Sequence, residues 1–203
     1  MKIGLLVECG RQGLEAVICP KIVALIEEGW DETIELEIIP MDNKKRLIQE
    51  CGPVCESLLK DGCDRVVILW DERPAWPVKN EPLCWHNDSR DILAELGKVV
   101  PNAGRVYLVC IEREFESWLL FDSRMLKCVM DNPKIKRVSV PKRPDRIPDP
   151  KGAMTTLVKQ LTGRRYIDVD YAPRFVKCLT DLKRLRKCGT FRRFEAKITG
   201  KPE

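Results

Sequence analysis

Short apolar runs recur along the first half of the chain. Four of them have similar length and spacing: residues 2–7, 34–40, 65–71 and 105–111. Such runs are typical of strands buried on both faces of a sheet. The segments between the first three runs and before the fourth have helical periodicity: residues 12–28, 43–61 and 88–98. Strands that alternate with helices predict an α/β fold, a flavodoxin- or Rossmann-like parallel sheet of about four strands with helices on both faces.

The chain changes character after residue 131. Five prolines are interleaved with lysine and arginine over residues 132–151, and neither a helix interior nor a central strand accepts them. Helical patterns follow over three further segments: residues 152–161, 172–187 and 190–198. The second would place Phe175, Leu179 and Leu182 on one apolar stripe. We expect an α/β domain over residues 1–131, a linker or extended basic loop over 132–151, and a basic helical extension over 152–203 packed on the domain.

The location of the protein is predicted from its apolar content. No apolar run reaches the roughly 18 residues that a membrane span needs, and the apolar start lacks the cleavage site of a signal peptide. We therefore expect a cytoplasmic protein without a membrane partner, whose ten cysteines are reduced thiols.

Charge is divided unevenly along the chain. Residues 1–133 hold 16 basic and 24 acidic side chains, net −8, and residues 134–203 hold 20 and 7, net +13. Six cations cluster near the C-terminus: Lys183, Arg184, Arg186, Lys187, Arg192 and Arg193. A solvated charged face is the plain alternative. The excess of cations, with no alternating-sign pairing in the sequence, favours contact with a nucleic acid.

Acidic residues stand directly after the predicted strands. Glu8 follows the first, Asp71 and Glu72 end the third, and Glu114 and Glu116 follow the fourth. Open parallel sheets bind ligands at this edge, and magnesium is held by one or two carboxylates with water and substrate phosphate. These five residues predict a site for Mg²⁺ or Mn²⁺, although chain leaving a sheet becomes polar in any case and acids also suit a helix N-terminus.

A shared ion sets a condition on the topology. Glu8 and Asp71 reach one ion only if the first and third strands are neighbours, which predicts the sheet order 2-1-3-4. Their carboxylates would then lie about 4–6 Å apart.

Two other kinds of site are disfavoured. Cys51 and Cys55 lie four residues apart and Cys84 is near His86, but this spacing matches no strong zinc signature. The segment after the first strand has only two glycines, at positions 10 and 13, so it lacks the phosphate loop of a nucleotide-binding regulator.

Several sequence segments occur together in a recognisable order. They are IGLLVE at the start, VVILWDE at the third strand, REFESWLLFD over residues 113–122, and APRF and TFRRF near the end. Together they resemble the bacterial domain-of-unknown-function family 4276 over nearly the whole chain. The stretch from Glu114 to Trp118, Glu-x-Glu-x-Trp, is the most specific part.

That family is itself similar to Toprim domains of topoisomerases, primases and overcoming-lysogenization-defect nucleases. The similarity implies an acid/base role for Glu8 and magnesium binding by Asp71, which would begin an Asp-x-Asp motif. Here the third position of that motif is Arg73. Its guanidinium would contact a phosphate, or its presence would weaken metal binding.

Two functions follow as expectations from this resemblance. The first is a magnesium-dependent nuclease that acts in defence against mobile DNA beside an ATPase partner. The second is a catalytically degenerate module that binds nucleic acid or serves as the adaptor of that ATPase.

Overall fold

The computed structural model describes residues 1–72, 85–100 and 103–201. Within these ranges four parallel strands form one sheet: β1 (Lys2–Val7), β2 (Glu35–Pro40), β3 (Arg65–Asp71) and β4 (Val106–Ile111). Their order is β2-β1-β3-β4, and β1 pairs with both β2 and β3. The predicted α/β class and the sheet order are confirmed.

Helices occupy most of the remaining chain. They are α1 (Leu14–Glu27), α2 (Lys44–Lys60), α3 (Trp85–Val99), α4 (Glu116–Leu119), α5 (Ser123–Met130), α6 (Pro150–Thr162), α7 (Asp168–Cys178) and α8 (Gly189–Thr199). Among the described residues, no helix is long and apolar enough to cross a membrane.

Side chains along β3 alternate between two hydrophobic cores, because successive strand residues point to opposite faces. Val66, Ile68 and Trp70 pack with α2 and α3. Val67 and Leu69 pack with α1 and the helices from α4 onward. The sheet is therefore covered on both faces, as predicted.

The C-terminal helices differ from prediction in one place. The helix expected over residues 172–187 ends at Cys178, and Leu179 is extended with ψ 103°. Phe175, Leu179 and Leu182 are nevertheless buried. The chain reaches the core by leaving the helix and turning, and only a short 3₁₀ turn follows at Leu185–Lys187. The apolar residues were predicted correctly and the continuous helix was not.

The basic helical extension contacts the sheet, where α8 packs against β4. Trp118 of α4 is fully buried and its indole N–H donates to Thr190 Oγ1 at 2.8 Å. Its ring also meets Phe191 of α8 edge to face at 5.2 Å. This contact fixes the segment after β4 against α8.

Cysteine chemistry differs from the expectation that all thiols are reduced. Cys128 of α5 and Cys178 at the end of α7 form a disulfide across 50 residues. These two helices pack side by side, which brings the two cysteines together. The seven other cysteines in the described ranges are free.

Candidate metal centre

A cleft of about 260 Å³ opens at the carboxyl end of β1 and β3. Its lining is mostly acidic and comes from several elements: Glu8, Cys9, Gly13, Leu14, Glu15, Asp42, Asn43, Asp71, Glu114, Glu116, Lys151 and Asp168. The two predicted catalytic residues therefore share one cleft with two of the predicted metal ligands.

Glu8 is held against the end of β3. Val7, the last residue of β1, pairs with Leu69 in the parallel register. Glu8 follows Val7 and therefore lies beside the last residues of β3. Its carboxylate Oε2 accepts a hydrogen bond from the Asp71 N–H at 3.1 Å. The side chain is 8% exposed, so Glu8 points into the protein and toward Asp71.

Asp71 has an unusual environment for a carboxylate. Its Oδ1 is buried and has no hydrogen-bond partner among the described residues. An unpaired buried acceptor costs free energy, and a hard cation is one ligand that would satisfy it.

A partly buried lysine supports the backbone of this site. Lys44, in the first turn of α2, donates from Nζ to the carbonyl oxygens of Asp71 at 2.6 Å and Glu72 at 3.3 Å. It also pairs with Asp88 of α3 at 3.1 Å. Lys44 of α2 thus links the end of β3 to α3 and bonds to backbone oxygens of Asp71 and Glu72, not to the Asp71 carboxylate.

Two further carboxylates are buried in the cleft. Glu15 lies in the first turn of α1 and is 8% exposed, and Glu116 begins α4 and is 3% exposed. The Tyr166 hydroxyl donates to Glu116 Oε1 at 3.3 Å.

Burial and mutual repulsion favour the protonated forms of these acids. Burial raises the pKa of Glu8 to about 7 and that of Glu116 to about 8. Burial, followed by the charges of Glu15 and Glu8, raises the pKa of Asp71 well above its usual range. Burial also raises the pKa of Glu15. Bringing positive charge into the cleft would reverse these shifts.

Among the lining residues of the cleft, Lys151 alone is cationic. Its Nζ pairs with Asp168 at 3.0 Å, and its backbone N–H donates to Glu114 Oε2 at 2.9 Å. One lysine faces a cleft with several acids, so acidic side chains outnumber the single cation in its lining.

The donor set suits a hard divalent ion, because every buried acidic ligand offers oxygen. Within the described residues, no three side chains of His, Cys, Asp or Glu form a ready-made metal group. Mg²⁺ is usually held by one or two carboxylates, with water and substrate phosphate completing its octahedron. Asp71 and Glu8 supply two carboxylates to the cleft.

Glu72, also predicted as a ligand, lies outside the cleft. Its Oε2 accepts from the Arg113 N–H at 3.3 Å and lies 3.7 Å from the Arg113 guanidinium. Arg113 has a left-handed backbone, φ 71°, which is strained for a non-glycine residue. Arg73 lies outside the described residues.

The C-terminal cations are only partly available. Arg186 forms a forked ion pair with Glu195, with N–O distances down to 2.6 Å, and Arg184 lies 3.6 Å from Asp122. The inference that this cluster lacks charge pairing is therefore wrong for these two arginines: Asp122 lies far away in the sequence, and Glu195 lies nine residues after Arg186. Exposure is shared by five members of the cluster: Lys183, Arg186, Lys187, Arg192 and Arg193.

The cysteines considered for zinc lie away from the cleft. Cys51 and Cys55 are buried between α2 and the sheet, and His86 is exposed near the start of α3. Cys84 lies outside the described residues. Burial raises the pKa of Cys51 to about 11 and that of Cys55 to about 12, so both behave as apolar thiols of the core.

Sequence reasoning missed four charged members of the cleft: Glu15, Asp42, Lys151 and Asp168. Glu15 is an acid on the buried side of an otherwise apolar helix, and that mismatch was a usable signal. Lys151 follows Pro150 at the start of a helix after the basic stretch. Nothing local shows that this turn returns to the cleft.

The fold and the cleft define an α/β protein with an acidic site at the carboxyl edge of a parallel sheet. Residues 22–199 match the model of a family described as Domain of unknown function (DUF4276). The match covers most of the chain, so the protein belongs to this family. Neither the curated proteins nor the solved structures contain a match to it.

Proposed function

We propose that the protein is a Toprim-like nuclease that hydrolyses phosphodiester bonds with Mg²⁺ or Mn²⁺. The observation that carries this proposal is the buried Asp71 Oδ1, which has no hydrogen-bond partner among the described residues and lies beside Glu8 in an acidic cleft. Substrate phosphate is itself a usual magnesium ligand. A site with few protein ligands and spare negative charge therefore suits phosphate chemistry.

Each residue of the cleft has a distinct role in this proposal. Asp71 and Glu8 would hold the ion, with Glu116 and Glu114 bordering it. A bound divalent ion supplies polarisation of the phosphate and lowers the pKa of a bound water. Because Glu8 Oε2 is hydrogen-bonded to the Asp71 amide, Glu8 Oε1 would take and return the proton. Lys151 would orient the negative substrate at the rim.

The setting follows from the family resemblance. We place the nuclease in the cytoplasm, in defence against mobile DNA, with an ATPase as its protein partner. Arg73 and four exposed C-terminal cations, Lys183, Lys187, Arg192 and Arg193, would contact the nucleic-acid backbone. Arg184 and Arg186 would do so only after leaving their acidic partners.

Cleavage assays test the catalytic proposal. DNA and RNA, single- and double-stranded, are incubated with the protein in Mg²⁺, in Mn²⁺ and in EDTA. We expect metal-dependent cleavage that Glu8→Gln and Asp71→Asn each reduce by at least about 100-fold. Glu112→Gln is the matched control, since this exposed acid also follows β4 but does not line the cleft. Equal loss in all three variants, or cleavage in EDTA, contradicts the proposal.

A second candidate is favoured by the position of Glu72. The chain reads Asp71-Glu72-Arg73, and Glu72 is held outside the cleft by Arg113. A module with only part of the Toprim ligand set would bind nucleic acid or an ATPase partner without cutting. Metal-independent binding that Glu8→Gln leaves unchanged, with no cleavage when the ATPase is supplied, is the result that favours this adaptor.

A further inference from the structure

The basic segment, residues 134–146, connects α5 to α6 over the protein surface. Its backbone is irregular apart from one 3₁₀ turn at Pro144–Arg146. Ile135, Val138 and Pro144 are buried, so three apolar anchors hold the segment against the body. Between and beside these anchors all six cations of the segment are exposed: Lys134, Lys136, Arg137, Lys142, Arg143 and Arg146.

The charge of the basic segment is not neutralised locally. It contains six cations and a single acid, Asp145. Asp145 pairs with Arg143 at 2.6 Å. In the described part of the chain, the five other cations form no ion pair. An exposed face that only solvates the protein usually mixes both signs, and this one does not.

The basic segment leads to the rim of the acidic cleft. The chain continues through Asp149, whose side chain caps α6 by accepting from the Gly152 N–H at 3.0 Å. The first turn of α6 then places Lys151 in the cleft. The 3₁₀ turn of the segment also packs against α4, which carries Glu116. Fixed cations therefore extend from the cleft across the neighbouring surface.

We propose that the basic segment binds the sugar-phosphate backbone of the nucleic acid that enters the cleft. This inference rests on the proposed function, because it assigns the substrate-binding surface of the same site. A cleft whose lining holds several acids and a single lysine offers a polyanion little attraction, so the attraction must come from outside it. Cations held in place by buried anchors displace the counterions of a nucleic acid, and this release drives binding.

The basic segment differs in this respect from the C-terminal cluster. Arg184 and Arg186 of that cluster face Asp122 and Glu195, so they contribute less net charge to a ligand. Apart from Arg143, which pairs with Asp145, the segment cations have no such competitors within the described residues. We therefore assign the larger share of backbone contacts to the basic segment.

Binding of a fluorescein-labelled DNA duplex and of its single strand, in EDTA so that neither is cut, tests this surface. Replacing the five segment cations other than Arg143 with alanine is expected to weaken Kd by roughly tenfold or more at physiological salt. The slope of log K against log salt, measured from about 50 to 200 mM, should become shallower by about 4 to 5 for the duplex.

A smaller pair of variants provides the matched control. Lys136→Ala with Arg137→Ala removes two cations from the basic segment, and the salt slope should fall by about 2. Lys60→Ala with Lys98→Ala removes two cations from the last turns of α2 and α3, where they pair with Glu56 and Glu95, and should leave the slope unchanged. Lys136→Arg with Arg137→Lys keeps the charge and should keep the binding.

The outcomes separate this inference from the proposed nuclease activity. Loss of binding in the segment variants alone supports it, even where no cleavage is found with any metal. Equal effects of the segment and control pairs overturn it, even where Glu8 and Asp71 prove catalytic. It is also overturned if no nucleic acid binds, or if the segment binds phosphatidylserine vesicles and not DNA or RNA.

Discussion

Burial governs the behaviour of the cleft carboxylates at the scale of single residues. Glu8, Glu15 and Glu116 are each less than a tenth exposed, and Asp71 has a buried oxygen without a partner among the described residues. Charged carboxylates in such a place are costly, so they hold their protons to higher pH or accept a cation. The same side chains thus destabilise the metal-free fold when they are charged and favour the binding of a metal ion.

Stability of the metal-free protein should depend on pH in a defined direction. The ordinary pKa of a glutamate side chain is 4.5. Burial raises the pKa of Glu8 to about 7 and that of Glu116 to about 8. The folded protein therefore keeps protons that the unfolded chain has lost. Its free energy of unfolding should fall as the pH rises from about 6 to about 8. Urea unfolding in EDTA measures this change.

Substitution of Glu8 provides the control for that pH dependence. Glu8→Gln removes one titrating group, so its unfolding free energy should decline less over the same interval and exceed that of the wild type near pH 8. Glu112→Gln should follow the wild type. A wild-type stability that rises from about pH 6 to about pH 8, or a Glu8→Gln variant with the full decline, would show that these carboxylates titrate normally.

Close backbone approach matters at the scale of elements. Gly52 of α2 faces α3, and a Cβ there would lie 2.7 Å from the Glu95 carbonyl oxygen and 2.9 Å from Val99 Cγ2. Backbone atoms cannot move aside as a flexible side chain can. The contact between α2 and α3, which also positions Lys44 and Asp88, depends on this glycine.

Gly52→Ala should therefore destabilise the protein by about 1–3 kcal/mol through overpacking. Gly97→Ala is a matched control within α3, because a Cβ at this position would have no neighbouring atom within 4 Å. That change should be neutral or stabilise by up to about 1 kcal/mol through helix propensity. Thermal unfolding compares the two, and a neutral Gly52→Ala would mean that the helices separate at little cost.

Sequence pattern predicted the elements well where local and tertiary preferences agree. Strand runs buried on both faces have few polar residues, so all four strands were found within one residue at each end. The helix over 172–187 failed because Phe175, Leu179 and Leu182 fit a helical stripe as well as they fit a turn into the core. Its end at Cys178 depends on packing against α5, which no local pattern contains.

At the scale of the whole molecule, the fold brings an acidic cleft and a basic segment close together. The sheet order brings Glu8 and Asp71 to one edge, and this followed from the condition that they share an ion. The contribution of Lys151 and the pairing of Arg186 with Glu195 could not be predicted, because both depend on how the C-terminal helices fold back. The acidic cleft and the basic segment meet only in three dimensions.

Direct binding of Mn²⁺ tests the central claim that this cleft is a metal centre. Electron paramagnetic resonance titration should detect an ion bound by the wild type and by Glu112→Gln, and loss of that ion in Asp71→Asn. Because the ligands must lose protons to bind, binding should be tighter near pH 8 than near pH 6 and should release protons near neutral pH. Equal Mn²⁺ binding by Asp71→Asn and the wild type, or no binding by either, would contradict the assignment.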